Sequence, residues 1–307
     1  MSKGVTHYNG IRDASAAVAL DHHHFVVAND ERDTLVTYRF GQPDPVDRLK
    51  LTKYLRGPGA TGKVREADLE GSARVGDLIY WIASHGRDAR GKRQINRLRF
   101  FATPIRQGRP EVPDNGVYAD LLRDMLEDEA LAFLGLKAAV GGLEAGSVGP
   151  APEDPHGFNI EGLAARPDGA LLIGFRNPRP LGRGLILPLL NPLEVVSHHT
   201  PARFGRPALL DLGGQGIRSL ENVAGGYALV AGPYGKTDPN QSFALYTWSG
   251  GDTAAAIRHP LDVGSMIPEA VFARGEGPML QILMDDGDRL GGTARFRATE
   301  IKLPEHL

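Results

Sequence analysis

Four glutamates, Glu70, Glu161, Glu221 and Glu269, stand at matching points of a pattern that recurs along the chain. Carboxylates gathered at short range raise one another's pKa, so such a set needs arginines, a hard cation or backbone N–H groups beside it. With Asp30 or Asp285 added, it offers the oxygen ligands that calcium or another divalent cation takes. A cation held there polarises an ester or phosphoester and activates water. Arg87 and Arg176, with His85 and Lys236, are then the groups for the substrate's anionic end, Arg176 in bidentate geometry. In this reading Glu70, Glu161, Glu221 and Glu269 are catalytic, while Glu70, Glu161, Asp30 and Asp285 hold the metal.

These residues meet only if the fold brings them together. Residues 158–165 read as a strand, Pro167-Asp168-Gly169 as a tight turn, and residues 171–176 as a second strand ending in Arg176. Strand–turn–strand–loop–strand copies of this kind begin near Ser15, Glu70, Glu161, Glu221 and Glu269, at spacings of 55, 91, 60 and 48 residues. The long spacing contains a helical excursion at residues 114–140. There Val117, Tyr118, Leu121, Leu122, Met125 and Leu126 fall at helical period behind Asp114 or Asn115 as N-cap. Short strands repeating at this period indicate an all-β fold, a β-propeller whose blades are four-stranded sheets around a channel. Five blades fit the copies. A sixth would have to hide in residues 104–155, where the helical pattern argues against it. The last copy has three strands, and residues 5–8 supply the fourth, which closes the ring and removes exposed sheet edges. The domain reading is one propeller over residues 1–307 with the helical insertion inside it.

Propeller geometry places two residue sets at one face. The innermost strands contribute Asp13, Asp68, Glu70, Asn159, Glu161, Glu221 and Glu269. The loops contribute Asp30, Glu31, His85, Arg87, Arg176, Asn177, Tyr234, Lys236, Asp285 and Asp286. Two readings stay open: glutamates that tie blades together, and a ring that also binds a ligand or metal. Weaker metal candidates fall away on position. His22-His23-His24 occupies a hairpin turn on the opposite face, and His198-His199 lies in an expected outer strand. A calcium loop starting at Asp285 or Asp286 finds Phe296 or Arg297 where the closing glutamate belongs. No Gly-x-Ser-x-Gly elbow, Walker loop or His-Glu-x-x-His is present.

Composition narrows the partners. The 307 residues are 41% hydrophobic and 23% charged, enough for a sizeable core, and the net charge of -2 gives no footprint for nucleic acid or an anionic membrane. Cysteine is absent, which excludes disulfides and thiolate metal sites. The N-terminal residues carry no apolar core and no window reaches transmembrane length, so the expected location is cytoplasmic.

At Asp68-Leu69-Glu70-Gly71, at Asn159-Ile160-Glu161-Gly162-Leu163-Ala164, and at Gly174-Phe175-Arg176-Asn177-Pro178, the sequence resembles an uncharacterised bacterial propeller family, a domain of unknown function akin to the esterase-like phytase domain. The resemblance spans nearly the whole chain and implies a propeller with a phosphoester-related site. The functional expectation is metal-assisted hydrolysis of a phosphoester or related ester at the channel mouth. The alternative is a non-catalytic propeller that binds a small anionic molecule or a partner protein there.

Overall fold

Apolar residues on both faces of each central strand, broken by glycine-bearing turns, call for sheets that are covered on both sides. The computed structural model describes residues 4–29, 32–56, 66–235, 238, 241–251, 256–275, 277–285 and 294–303. Its strands form five four-stranded antiparallel sheets. Strand β1 (Thr6–Asn9) stands ahead of the first blade. Blade one is β2 (Ala14–Ala19), β3 (His24–Asn29), β4 (Thr34–Arg39) and β5 (Pro45–Lys50), followed by the single-turn helix α1 (Thr52–Leu55). Blade two is β6 (Leu69–Val75), β7 (Leu78–Ala83), β8 (Phe100–Arg106) and β9 (Arg109–Pro110). Helices α2 (Leu121–Glu127) and α3 (Leu136–Val140) follow it. Blade three is β10 (Asn159–Ala165), β11 (Leu171–Asn177), β12 (Gly184–Leu189) and, after helix α4 (Pro192–His198), β13 (Ala208–Leu210). Blade four is β14 (Gly216–Val223), β15 (Gly226–Gly232), β16 (Ala244–Trp248) and β17 (Ile257–His259). Blade five is β18 (Ile267–Ala273), β19 (Met279–Asp285) and β20 (Arg295–Lys302), with β1 paired to β20 as its outer strand. The innermost strands β2, β6, β10, β14 and β18 touch in cyclic order, so this is a closed five-bladed β-propeller.

Burial of apolar surface between blades holds the ring. Each of the five clefts carries its own hydrophobic cluster, such as Val26, Leu35, Ile79 and Trp81 between blades one and two. The cleft between blades four and five holds Val230, Leu245, Val271 and Ile282. Tyr8 of β1 packs among Phe25, Tyr38 and Phe296, which locks the closing strand into the cleft between blades five and one. Where inner strands approach most closely the sequence needs glycine. A Cβ on Gly71 would stand 2.9 Å from Leu163 Cβ and 2.8 Å from Ile82 Cγ2.

Two details differ from the sequence expectation. The helical pattern starts at Leu121 rather than near residue 115, because Tyr118 pairs with Phe100 as a β-bridge and joins the sheet edge first. Helices α2 and α3 then cap the cleft between blades two and three through Leu121, Leu122, Met125 and Val140. His198 ends helix α4 instead of lying in an outer strand, since Pro192 opens that segment as a helix and β13 takes the outer place. The His22–His24 segment is the expected turn, with Asp21 Oδ1 accepting from the backbone N–H groups of His23 and His24. Among the described residues no helix is long and apolar enough to cross a membrane.

Candidate functional site

Every innermost strand carries one β-bulge near its start. Register shifts fall between Ala14 and Ala16, Leu69 and Gly71, Ile160 and Gly162, Ile217 and Ser219, and Pro268 and Ala270. A bulge places two residues opposite one and re-aims the extra side chain. The five extra residues are Ser15, Glu70, Glu161, Arg218 and Glu269, and all five line one cavity of about 960 Å³ at the channel mouth. The ring is therefore one serine, three glutamates and one arginine.

Glu221 is not part of it. It sits three residues beyond the bulge of β14, opposite Ala228 and beside the hairpin turn at the other end of the channel. Its carboxyl accepts from the Ala273 backbone N–H, and burial pushes its pKa up to about 8. The signal that separates the two positions lies in the sequence. In four blades an apolar residue, the bulge residue and a glycine or alanine follow in order, as in Leu69-Glu70-Gly71 and Ile160-Glu161-Gly162. Ile217-Arg218-Ser219 keeps that order with serine as the small residue, and Leu220-Glu221-Asn222 breaks it.

Arg218 compensates the ring. Its guanidinium lies between Glu161, with Nε 3.1 Å from Oε2, and Glu269, which it also bonds. Burial works against the charge on Arg218, but Glu161, Glu269 and Glu70 outweigh it and raise its pKa. Glu161 takes a second arginine, Arg176 of β11, at 3.0 Å, together with a 2.6 Å hydrogen bond from Asn159 Nδ2. Arg176 also donates to the Pro233 carbonyl and faces Glu153 at 3.7 Å. The third arginine of the cavity, Arg97, pairs with Asp68 at 2.8 Å. Asp68 holds a left-handed backbone (φ 61°) just ahead of β6, and burial raises its pKa against the pull of Arg97. Burial likewise pushes Glu269 up to about 7, opposed by Arg218 and assisted by Glu161 and Asp285.

The remaining expected site residues divide. Glu70 and Asp285 line the cavity with Glu161 and Glu269. His85 and Arg87 do not. His85 is fully buried, donates from Nδ1 to the Ala83 carbonyl at 2.7 Å, and is held neutral by burial, its pKa lowered to about 4. Arg87 is a structural rivet: its guanidinium donates to the carbonyls of Val140, Gly91, Ser147 and Gly142, fastening the 86–93 loop to the segment after α3. Both therefore serve the loop and are withdrawn from any ligand. Asn177 donates to the Pro152 and Tyr234 carbonyls, and Tyr234 lies under the Arg179 guanidinium at 3.7 Å. Asp30, Glu31, Lys236 and Asp286 lie outside the described residues. Neither Arg97 nor Arg218 is among the site residues expected from the sequence, yet both line the cavity.

The arrangement does not fit a divalent cation among the ring carboxylates. Arg218 stands between Glu161 and Glu269 where such an ion would sit. Among the described residues no group of three or more acidic or histidine side chains could hold a metal.

A family model described as a protein of unknown function (DUF3616) matches residues 131–262, from the helical insertion through blade four. No curated protein matches the chain. Among solved structures, the chain is similar to a proposed oxidoreductase (glucose dehydrogenase) from Thermus thermophilus at 13% identity and TM-score 0.46, covering 97% of this chain and 100% of that one. It is also similar to the β-propeller domain of Cps50 (Swd1) from Myceliophteria thermophila at 12% identity and TM-score 0.45, covering 98% and 100%.

Proposed function

We infer that the channel-mouth cavity binds a small polar molecule, and that binding rather than metal-assisted hydrolysis is its primary task. The observation that carries this is the converging set of bulges: five blades each deliver one side chain into a single concave space of ligand size, lined by polar and apolar groups alike. Hydrolysis of a phosphoester with calcium, as the phytase resemblance implies, asks for clustered oxygen donors and an unengaged arginine. Arg97, Arg176 and Arg218 are each already paired with carboxylates. A second reading, metal-free hydrolysis of an ester at the same mouth, has one observation in its favour. Glu269 faces the cavity and titrates near neutrality, the range a general acid–base needs.

The test is binding of a broad metabolite panel, followed by Ala89→Trp. Ala89 is an exposed residue on the cavity lining, so the indole covers the mouth without touching the core. Binding that the variant reduces at least roughly tenfold, at unchanged melting temperature, supports the site; binding that ignores the indole places the ligand elsewhere. Turnover of an aryl ester or phosphoester that Glu269→Gln removes would make the hydrolytic reading the better one. A requirement for calcium, magnesium or manganese in that turnover would restore the metal.

A further inference from the structure

We propose that the ligand of this cavity is an organic cation, an amine or guanidinium carried on an apolar body; this rests on the mouth being the binding site. The first ground is charge. Among the described residues, eight acidic side chains line the cavity against three arginines, and every one of those arginines is engaged by a carboxylate. Clefts lined by one sign of charge concentrate ligands of the other. A phosphoester entering here meets a field of its own sign.

The second ground is the apolar part of the lining, where Phe243, Leu261 and Met266 are only partly buried and border the same space. A bare metal ion or a polyhydroxylated sugar leaves that apolar surface unused. An amine with a hydrocarbon body covers it while its ammonium meets the carboxylates.

The experiment compares three probes with one phenylethyl body, 2-phenylethylamine, 2-phenylethanol and 2-phenylethyl phosphate, by calorimetry on the intact protein. The amine should bind, the alcohol should bind at least roughly tenfold more weakly, and added salt should weaken the amine. Glu70→Gln and Asp285→Asn should each reduce amine affinity by about three- to tenfold, because both remove a charge from the lining. Equal binding of amine and alcohol, stronger binding of the phosphate, or no binding of the amine overturns the cationic class. Amine binding that neither charge variant alters does the same. Ala89→Trp separates this from failure of the site itself: a phosphate or alcohol signal that the indole removes sinks the cationic ligand and keeps the mouth. An amine signal indifferent to the indole sinks the mouth.

Discussion

Glu161 and Glu221 lie on the innermost strands of adjacent blades, yet they have opposite surroundings. Glu161 occupies a bulge at the mouth, where Arg176, Arg218 and Asn159 all address its carboxylate. Glu221 lies near the far end of its strand, with one backbone N–H for company and a pKa raised to about 8. The difference teaches where this molecule invests its charge. Arginines from inner strands and adjoining loops serve the mouth, whereas at the far end a lone carboxyl is kept largely protonated by burial.

Breaking the mouth should have the largest effect. Arg218→Met removes the cation between Glu161 and Glu269, and an uncompensated buried charge typically costs about 3–5 kcal/mol. Chemical denaturation at pH 8 should show a loss of that order. At pH 6 the loss should be smaller, since Glu269 can then take up a proton. A pH-independent loss below about 1 kcal/mol would show that the ring carboxylates do not depend on Arg218.

The far end should respond in the opposite sense. The Glu221 carboxyl has a folded pKa of about 8 against an ordinary value of 4.5. Its contribution to stability is therefore complete below about pH 4.5 and is lost as pH rises through 8. Glu221→Gln keeps an acceptor for the Ala273 N–H and cannot ionise. Above pH 8 it should stabilise the protein by on the order of 1–2 kcal/mol, discounted because the residue is only half-buried, and at pH 5 it should be neutral. Thermal melts across this range measure the difference, and a destabilised variant at pH 9 would mean that Glu221 is ionised and paired.

The smallest effect sharpens the mouth itself. Glu269 faces Arg218, Glu161, Asp285 and Arg176, and its pKa is about 7. A cationic ligand favours the ionised form, so amine affinity should rise by about three- to tenfold between pH 6 and 8, with proton release on binding below pH 7. Glu269→Gln should flatten that profile. A flat profile in the wild type would place the ligand's charge away from Glu269.

Much of the architecture was legible before any coordinates. Pro167-Asp168-Gly169 and Gly76-Asp77 mark hairpins because glycine adopts the left-handed backbone their turns need, φ 84° at Gly169 and 58° at Gly76. Repetition of those hairpins gave five blades, and the missing fourth strand of the last copy pointed to the N-terminus. The site was legible in part. The recurring acidic residue of the pattern marks Glu70, Glu161 and Glu269, but in blade four it marks Glu221, whereas the apolar–polar–small order marks Arg218. Arg87 and His85 were placed at the mouth because loop position alone does not tell which way a side chain turns. Arg87 turns instead to the Val140 carbonyl at the end of α3, some fifty residues further along the chain, and His85 to the Ala83 carbonyl of its own strand.

Local sequence by itself determined the strands, the turns and their number, since these depend on alternation and on backbone freedom at glycine and proline. Tertiary structure decided which residue of each inner strand faces the axis. Side chains alternate with period two, so one bulge residue moves a neighbour from cleft to channel. It also decided the chemistry of the ring, because an arginine two blades' worth of packing away from Glu70, and one from Glu161, became the charge that both must share.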